Sequence, residues 1–103
     1  MCRAICKATK KSYYSIKRKL KLIGELFECD ALCVCCYYHL LEEVFGLRPK
    51  YANGQTVGKI AKDFKDNILI IRIQGHLTMS EFGTVYDIWD CTQEKGDVFW
   101  IVE

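Results

Sequence analysis

Apolar positions in the first half of the chain recur at helical spacing. Ile16, Leu20, Ile23 and Phe27 follow at intervals of four, three and four, which places them on one face of a helix. Ser12 or Ser15 can cap its start. A second helix is predicted from a cap at Asp30 to about Phe45, where Gly46 supplies the left-handed terminating residue and Pro49 blocks continuation. Asn53-Gly54 is a turn signal, and Thr56 can cap a short helix that buries Val57, Ile60, Ala61 and Phe64. The period then changes. Ile68 to Ile73 is β-branched and nearly continuous, the pattern of a central strand covered on both faces, and it is expected to run on through Gly75-His76-Leu77-Thr78. Phe82-Gly83 suits a hairpin turn, Thr84 to Trp89 a returning strand, and Val98 to Val102 a third strand after a turn at Glu94–Gly96. Helices first and an antiparallel meander afterwards define an α+β class, with N-terminal helices packed on a three-stranded or slightly larger antiparallel sheet.

At 103 residues, with 50% hydrophobic and 27% charged positions, the chain is expected to form a single domain spanning 1–103 with one modest core. The longest stretch free of charge, glycine and proline is Ala31–Leu41, far short of the roughly 20 apolar residues of a membrane span. The opening MCRAICKATKKSYY has no apolar segment of a secretory signal, so a cytoplasmic location is expected, with the seven cysteines as thiols. No paired C-x-x-C motif or C-x-x-C with H-x-x-x-H is present. Cys29, Cys33, Cys36 and His39 fall near one helical stripe that could in principle hold a metal, but small buried thiols account for the pattern without one, and neither metal nor cofactor is expected.

The net charge of +2 is unevenly distributed. Residues 1–24 carry eight basic residues and no acid, leaving seven basic and all thirteen acidic residues for the remainder. Such a front is either an anion-binding arm or a solvated helix face. With no aromatic–basic stacking motif beside it, nucleic acid is disfavoured as a partner, and no membrane partner is expected.

Candidate chemistry centres on His76, which follows Gly75 in a strand beside a hairpin whose returning arm carries Asp87 and Asp90. A two-residue turn at Phe82-Gly83 sets His76 opposite Trp89, and a four-residue loop sets it opposite Asp87. In both registers Asp87 shares a sheet face with His76, whereas Asp90 points to the other face unless the strand breaks first. A carboxylate beside an imidazole fixes its tautomer and stabilises its cation, so the pair can serve as base and orienter, or be structural. A base of this kind calls for a nucleophile, and a thiol at a helix N-terminus is activated by the dipole and flanked by N–H donors. Cys2 fits that description best; Cys6 lies one turn further in, and Cys29 precedes the second helix.

The opening Cys2-Arg3-Ala4-Ile5-Cys6-Lys7-Ala8-Thr9-Lys10-Lys11-Ser12-Tyr13 resembles that of small papain-like cysteine peptidase relatives found in bacteria and their phages. Thr56-Val57-Gly58-Lys59, the strand Ile68 to Ile73, Gly75-His76-Leu77-Thr78 and Gly83-Thr84-Val85-Tyr86-Asp87-Ile88-Trp89-Asp90-Cys91 resemble the later blocks of the same relatives, in order and over nearly the whole chain. The resemblance implies a papain-like core and a cysteine hydrolase of peptide or other amide bonds, acting on a peptide or protein substrate. His76 then takes the general-base position and Asp87 or Asp90 the orienting one; the register favours Asp87. In these relatives the nucleophile stands three residues before Arg-Ala-Ile, a position that here falls before Met1. Cys2 stands one residue before Arg3, about 100° away around a helix. Two expectations follow: Cys2 attacks from a shifted first turn, or the usual nucleophile is missing and the domain is a catalytically inactive binding or regulatory module.

Overall fold

The structure is a computed structural model that describes residues 2–28, 34–87 and 90–102, with the side chains of Cys2, Val34 and Cys35 outside the description. Helix α1 (Cys2–Thr9) is followed by α2 (Tyr13–Phe27), α3 (Val34–His39) with a π-helical turn (Leu40–Val44), strand β1 (Pro49–Tyr51), α4 (Val57–Asp63), and strands β2 (Ile68–Ile73), β3 (His76–Glu81), β4 (Thr84–Tyr86) and β5 (Val98–Ile101). The five strands form one sheet in the order β1-β5-β2-β3-β4, with every neighbouring pair antiparallel. The chain is therefore α+β, as its pattern predicts. No helix among the described residues is long and apolar enough to cross a membrane.

The unbroken apolar run of β2 is explained by what covers it. Ile68 and Ile70, with Leu77 and Met79 of β3 and Trp100 of β5, meet Ala4, Ile5 and Ala8 of α1 and Ile16 and Leu20 of α2. On the opposite face Leu69, Ile71, Ile73 and Phe99 meet Val57 and Ile60 of α4. Leu69, Ile70 and Ile71 are completely buried, each worth about 1.5–3 kcal/mol of hydrophobic transfer. α1 is thereby fixed against β2 and β3, through a seam of small residues at Ala4 and Ala8.

The caps follow the side-chain chemistry. Ser12 Oγ accepts the Ser15 N–H at 3.1 Å to start α2, and Thr56 Oγ1 accepts the Lys59 N–H at 3.3 Å to start α4. Asp30, the expected cap of the second helix, lies outside the described residues. Phe82 and Gly83 both have positive φ, the type I′ turn that matches strand twist.

Three expectations are corrected, and one strand is added to the expected sheet. The strand from Ile68 does not continue through Thr78: Gln74-Gly75 folds it into a hairpin with Ile73 opposite His76, and Gly75 takes φ +73°. β1 is an additional edge strand, pairing Pro49 with Trp100 and Tyr51 with Val98. Phe27 is not part of the α2 core; α2 ends at the next residue, left-handed Glu28, and Phe27 is exposed with its ring edge-on to His39. The returning strand ends at Tyr86, before Asp87; Ile88 and Trp89 lie outside the described residues.

Candidate active site

The tight turn at Phe82-Gly83 pairs Ser80 with Val85 and Met79 with Tyr86. It is the two-residue register, and Asp87 emerges just beyond the end of β4 on the diagonal from His76, the first residue of β3. Their side chains meet: His76 Nε2 is 2.6 Å from Asp87 Oδ2. The carboxylate is 9% exposed and the imidazole 29%. An acceptor so placed holds a proton on Nε2, which leaves Nδ1 as the basic nitrogen of the neutral ring.

Asp90 does a different job. Its Oδ1 accepts from the Thr92 N–H at 3.0 Å and from the Thr92 hydroxyl at 2.6 Å. The hydroxyl, then the backbone N–H, lower its pKa below the usual carboxylate value. Asp90 thus caps a local turn, and Asp87 is the residue that meets His76.

Behind the pair lies a buried support. Cys91 Sγ sits 3.6 Å from Thr78 Oγ1 and 3.9 Å from Asp87 Oδ2. Thr78 and Cys91 are both almost wholly enclosed. Burial pushes the Cys91 thiol above its ordinary pKa, and the charge of Asp87 adds to that while the Thr78 hydroxyl opposes it. A neutral, enclosed thiol of this kind is a packing and hydrogen-bonding group, unsuited to nucleophilic attack.

In front of the pair is a cavity of about 340 Å³, lined in part by Arg3, Ala4 and Lys7 of α1 as well as by His76 and Asp87. The first two turns of α1 therefore border the imidazole–carboxylate pair. The Lys7 ammonium lies 4.5 Å from the Tyr86 ring centroid. Cys2 is the first residue of α1, and its side chain lies outside the described residues. Cys6 is half-buried and packs against the core, and Cys36 is fully buried.

The metal stripe is not assembled by what is described. Cys29 and Cys33 lie outside the described residues, Cys36 is in the core, and His39 meets Phe27 edge-on, with ring centroids 4.9 Å apart. Among the described residues no group of three His, Cys, Asp or Glu side chains could hold a metal ion. The basic front divides: Arg3 and Lys7 border the His76 cavity, whereas Lys17, Arg18 and Lys21 line the outward face of α2.

Sequence reasoning missed Arg3, Lys7, Thr78 and Cys91 as parts of this site. Thr78 was accessible to it, being two residues from His76 and so on the same face of β3. Cys91 was not, because its approach depends on the loop after Tyr86. No family model, curated protein or solved structure matches the chain.

Proposed function

We propose that this protein is a papain-like cysteine hydrolase that cleaves a peptide or other amide bond through Cys2, His76 and Asp87. The observation that carries the reading is the 2.6 Å contact between His76 Nε2 and Asp87 Oδ2 in a cavity bordered by the first two turns of α1. The resemblance of the opening block and of the Gly75-His76 and Tyr86-Asp87-Ile88-Trp89-Asp90-Cys91 blocks to small papain-like peptidase relatives supports it.

The chemistry follows from those positions. His76 Nδ1 takes the Cys2 thiol proton, and the thiolate attacks the substrate carbonyl carbon. The oxyanion is met by N–H groups of the first turn of α1, which have no partner within the helix. His76 returns the proton to the leaving amine as the C–N bond breaks, giving a thioester on Cys2. Water, deprotonated by the same imidazole, then releases the acid and regenerates the thiol. Asp87 remains ionised and holds the imidazole in place as its charge appears and disappears. Cys36 and Cys91 are not competitors, being fully buried, and Cys6, half-buried against the core, does not line the cavity.

A second reading, a catalytically inactive binding or regulatory module, draws on a different observation: none of the described cysteine sulfurs lines the cavity. Alkylation by iodoacetamide at pH 6, with the modified residue located by peptide mass, separates the two. The hydrolase reading expects Cys2 to react at least tenfold faster than a model thiol and Asp87→Asn to slow it. Reaction of Cys2 at the model rate supports the inactive module.

A further inference from the structure

We propose that the cavity beside His76 and Asp87 selects a substrate bearing a carboxylate next to the bond that is cut. The proposal deepens the hydrolase reading and rests on it. Arg3 and Lys7 stand on successive turns of α1, both exposed and both lining the cavity. Among the described residues neither makes an ion pair. Lys7 is instead held at the rim by the face of Tyr86, 4.5 Å from the ring centroid, an attraction that keeps the ammonium by the cavity without neutralising it. The third formal charge in the lining, Asp87, is engaged by His76 at 2.6 Å.

Asp87 offsets one of these positive charges, so the net formal charge of the lining is +1, and Arg3 and Lys7 are the two cationic groups left to meet a ligand. Leu77, Met79 and Val85 supply apolar lining to the same cavity, and low-dielectric walls concentrate the field of charges beside them. The absence of any acid from residues 1–24 removes the nearest source of compensation in sequence. An ammonium at this position is repelled and a neutral group gains little, whereas a carboxylate gains two cationic donors, one of them a guanidinium able to bind it in bidentate fashion. At about 340 Å³ the cavity is of the size that accepts one or two side chains of a peptide and not a folded surface. The carboxylate can belong to an Asp or Glu side chain or to the end of a peptide.

The test compares alkylation of Cys2 by anionic iodoacetate and neutral iodoacetamide in the full chain. Wild-type protein is expected to favour iodoacetate over the ratio shown by a model thiol. That ratio should fall about threefold with Arg3→Gln or Lys7→Gln and about tenfold with both, and should shrink as salt is added. Because His76 is common to all four proteins, its own charge cancels from the comparison. Acetyl-Ala-Glu-Ala-amide and acetyl-Ala-Ala-Ala acid are then tried as protectors of Cys2 against iodoacetamide. Protection by the first identifies a side-chain carboxylate, and protection by the second a terminal one. An iodoacetate preference unchanged in the double variant, or equal protection by acetyl-Ala-Gln-Ala-amide, overturns the proposal while leaving the hydrolase standing. Cys2 reacting no faster than a model thiol with either reagent removes the hydrolase reading itself, and this proposal with it.

Discussion

Removing the Cys91 sulfur and the Thr78 hydroxyl, singly and together, tests whether the buried support behind Asp87 acts as a unit. Thr78 is 1% exposed and Cys91 fully buried, with 3.6 Å between Oγ1 and Sγ. Thr78→Val keeps the shape and deletes the hydroxyl, which costs about 1 kcal/mol for one neutral hydrogen bond. Cys91→Ala loses the same bond, leaves the Thr78 hydroxyl without it in an enclosed site, and opens a void about the size of the sulfur. Together these cost about 2–3 kcal/mol. If the two groups interact, the double variant costs about as much as Cys91→Ala alone, a coupling of about 1 kcal/mol. Urea unfolding of the four proteins at pH 7 measures it. Additivity to within about 0.3 kcal/mol refutes the unit. The pH dependence supplies a second reading. Burial raises the folded thiol's pKa, so its stabilising contribution is complete below the unfolded thiol's pKa. It drains away as the pH rises through that value towards the folded one. Between about pH 8 and 10 the wild type should therefore lose more stability than Cys91→Ala. Tyr37 and Tyr38, also raised mainly by burial, add a loss at higher pH common to both.

Three further outcomes are expected. Asp87→Asn should slow iodoacetamide alkylation of Cys2 by about 10- to 100-fold, the worth of a hydrogen bond to a charged acceptor, and Asp90→Asn by less than twofold; equal effects would contradict the assignment of Asp87 to His76. Trp100→Phe should destabilise the fold by about 2–3 kcal/mol, because Trp100 is fully buried, stacks edge-on against Tyr38 at 5.2 Å and donates from Nε1 to Glu42 Oε2 at 3.0 Å; thermal unfolding reads this directly. Gly75→Ala should also destabilise, by about 1 kcal/mol, since φ +73° at the β2–β3 hairpin favours glycine although the space around it is open; a neutral effect in urea unfolding would show that the turn relaxes.

What the sequence made legible was governed by how local the cause was. Ser12 and Thr56 cap their helices through contacts three residues away, so both could be read from the chain. The Phe82-Gly83 turn was equally local, and with the period-two rule it placed Asp87 on the face of His76. The hairpin at Gln74-Gly75 was hidden because apolar and β-branched residues flank it without a break in composition, and only the glycine marks the turn. β1 was illegible: Pro49, Lys50 and Tyr51 are all exposed, carry no alternation, and form a strand because β5 offers an edge nearly fifty residues later. Phe27 kept the helical period, but the period says nothing about where a helix outruns the core, and α2 ends there. The Cys91 support depends on the course of the loop beyond Tyr86, which no spacing encodes.

The separation of Cys2 Sγ from His76 Nδ1 in a crystal of the unliganded protein tests the central claim most directly. The account predicts about 3.5 Å, the loose contact of a resting thiol–imidazole pair. A sulfur more than about 6 Å from the ring, beyond the reach of direct proton transfer, would contradict it.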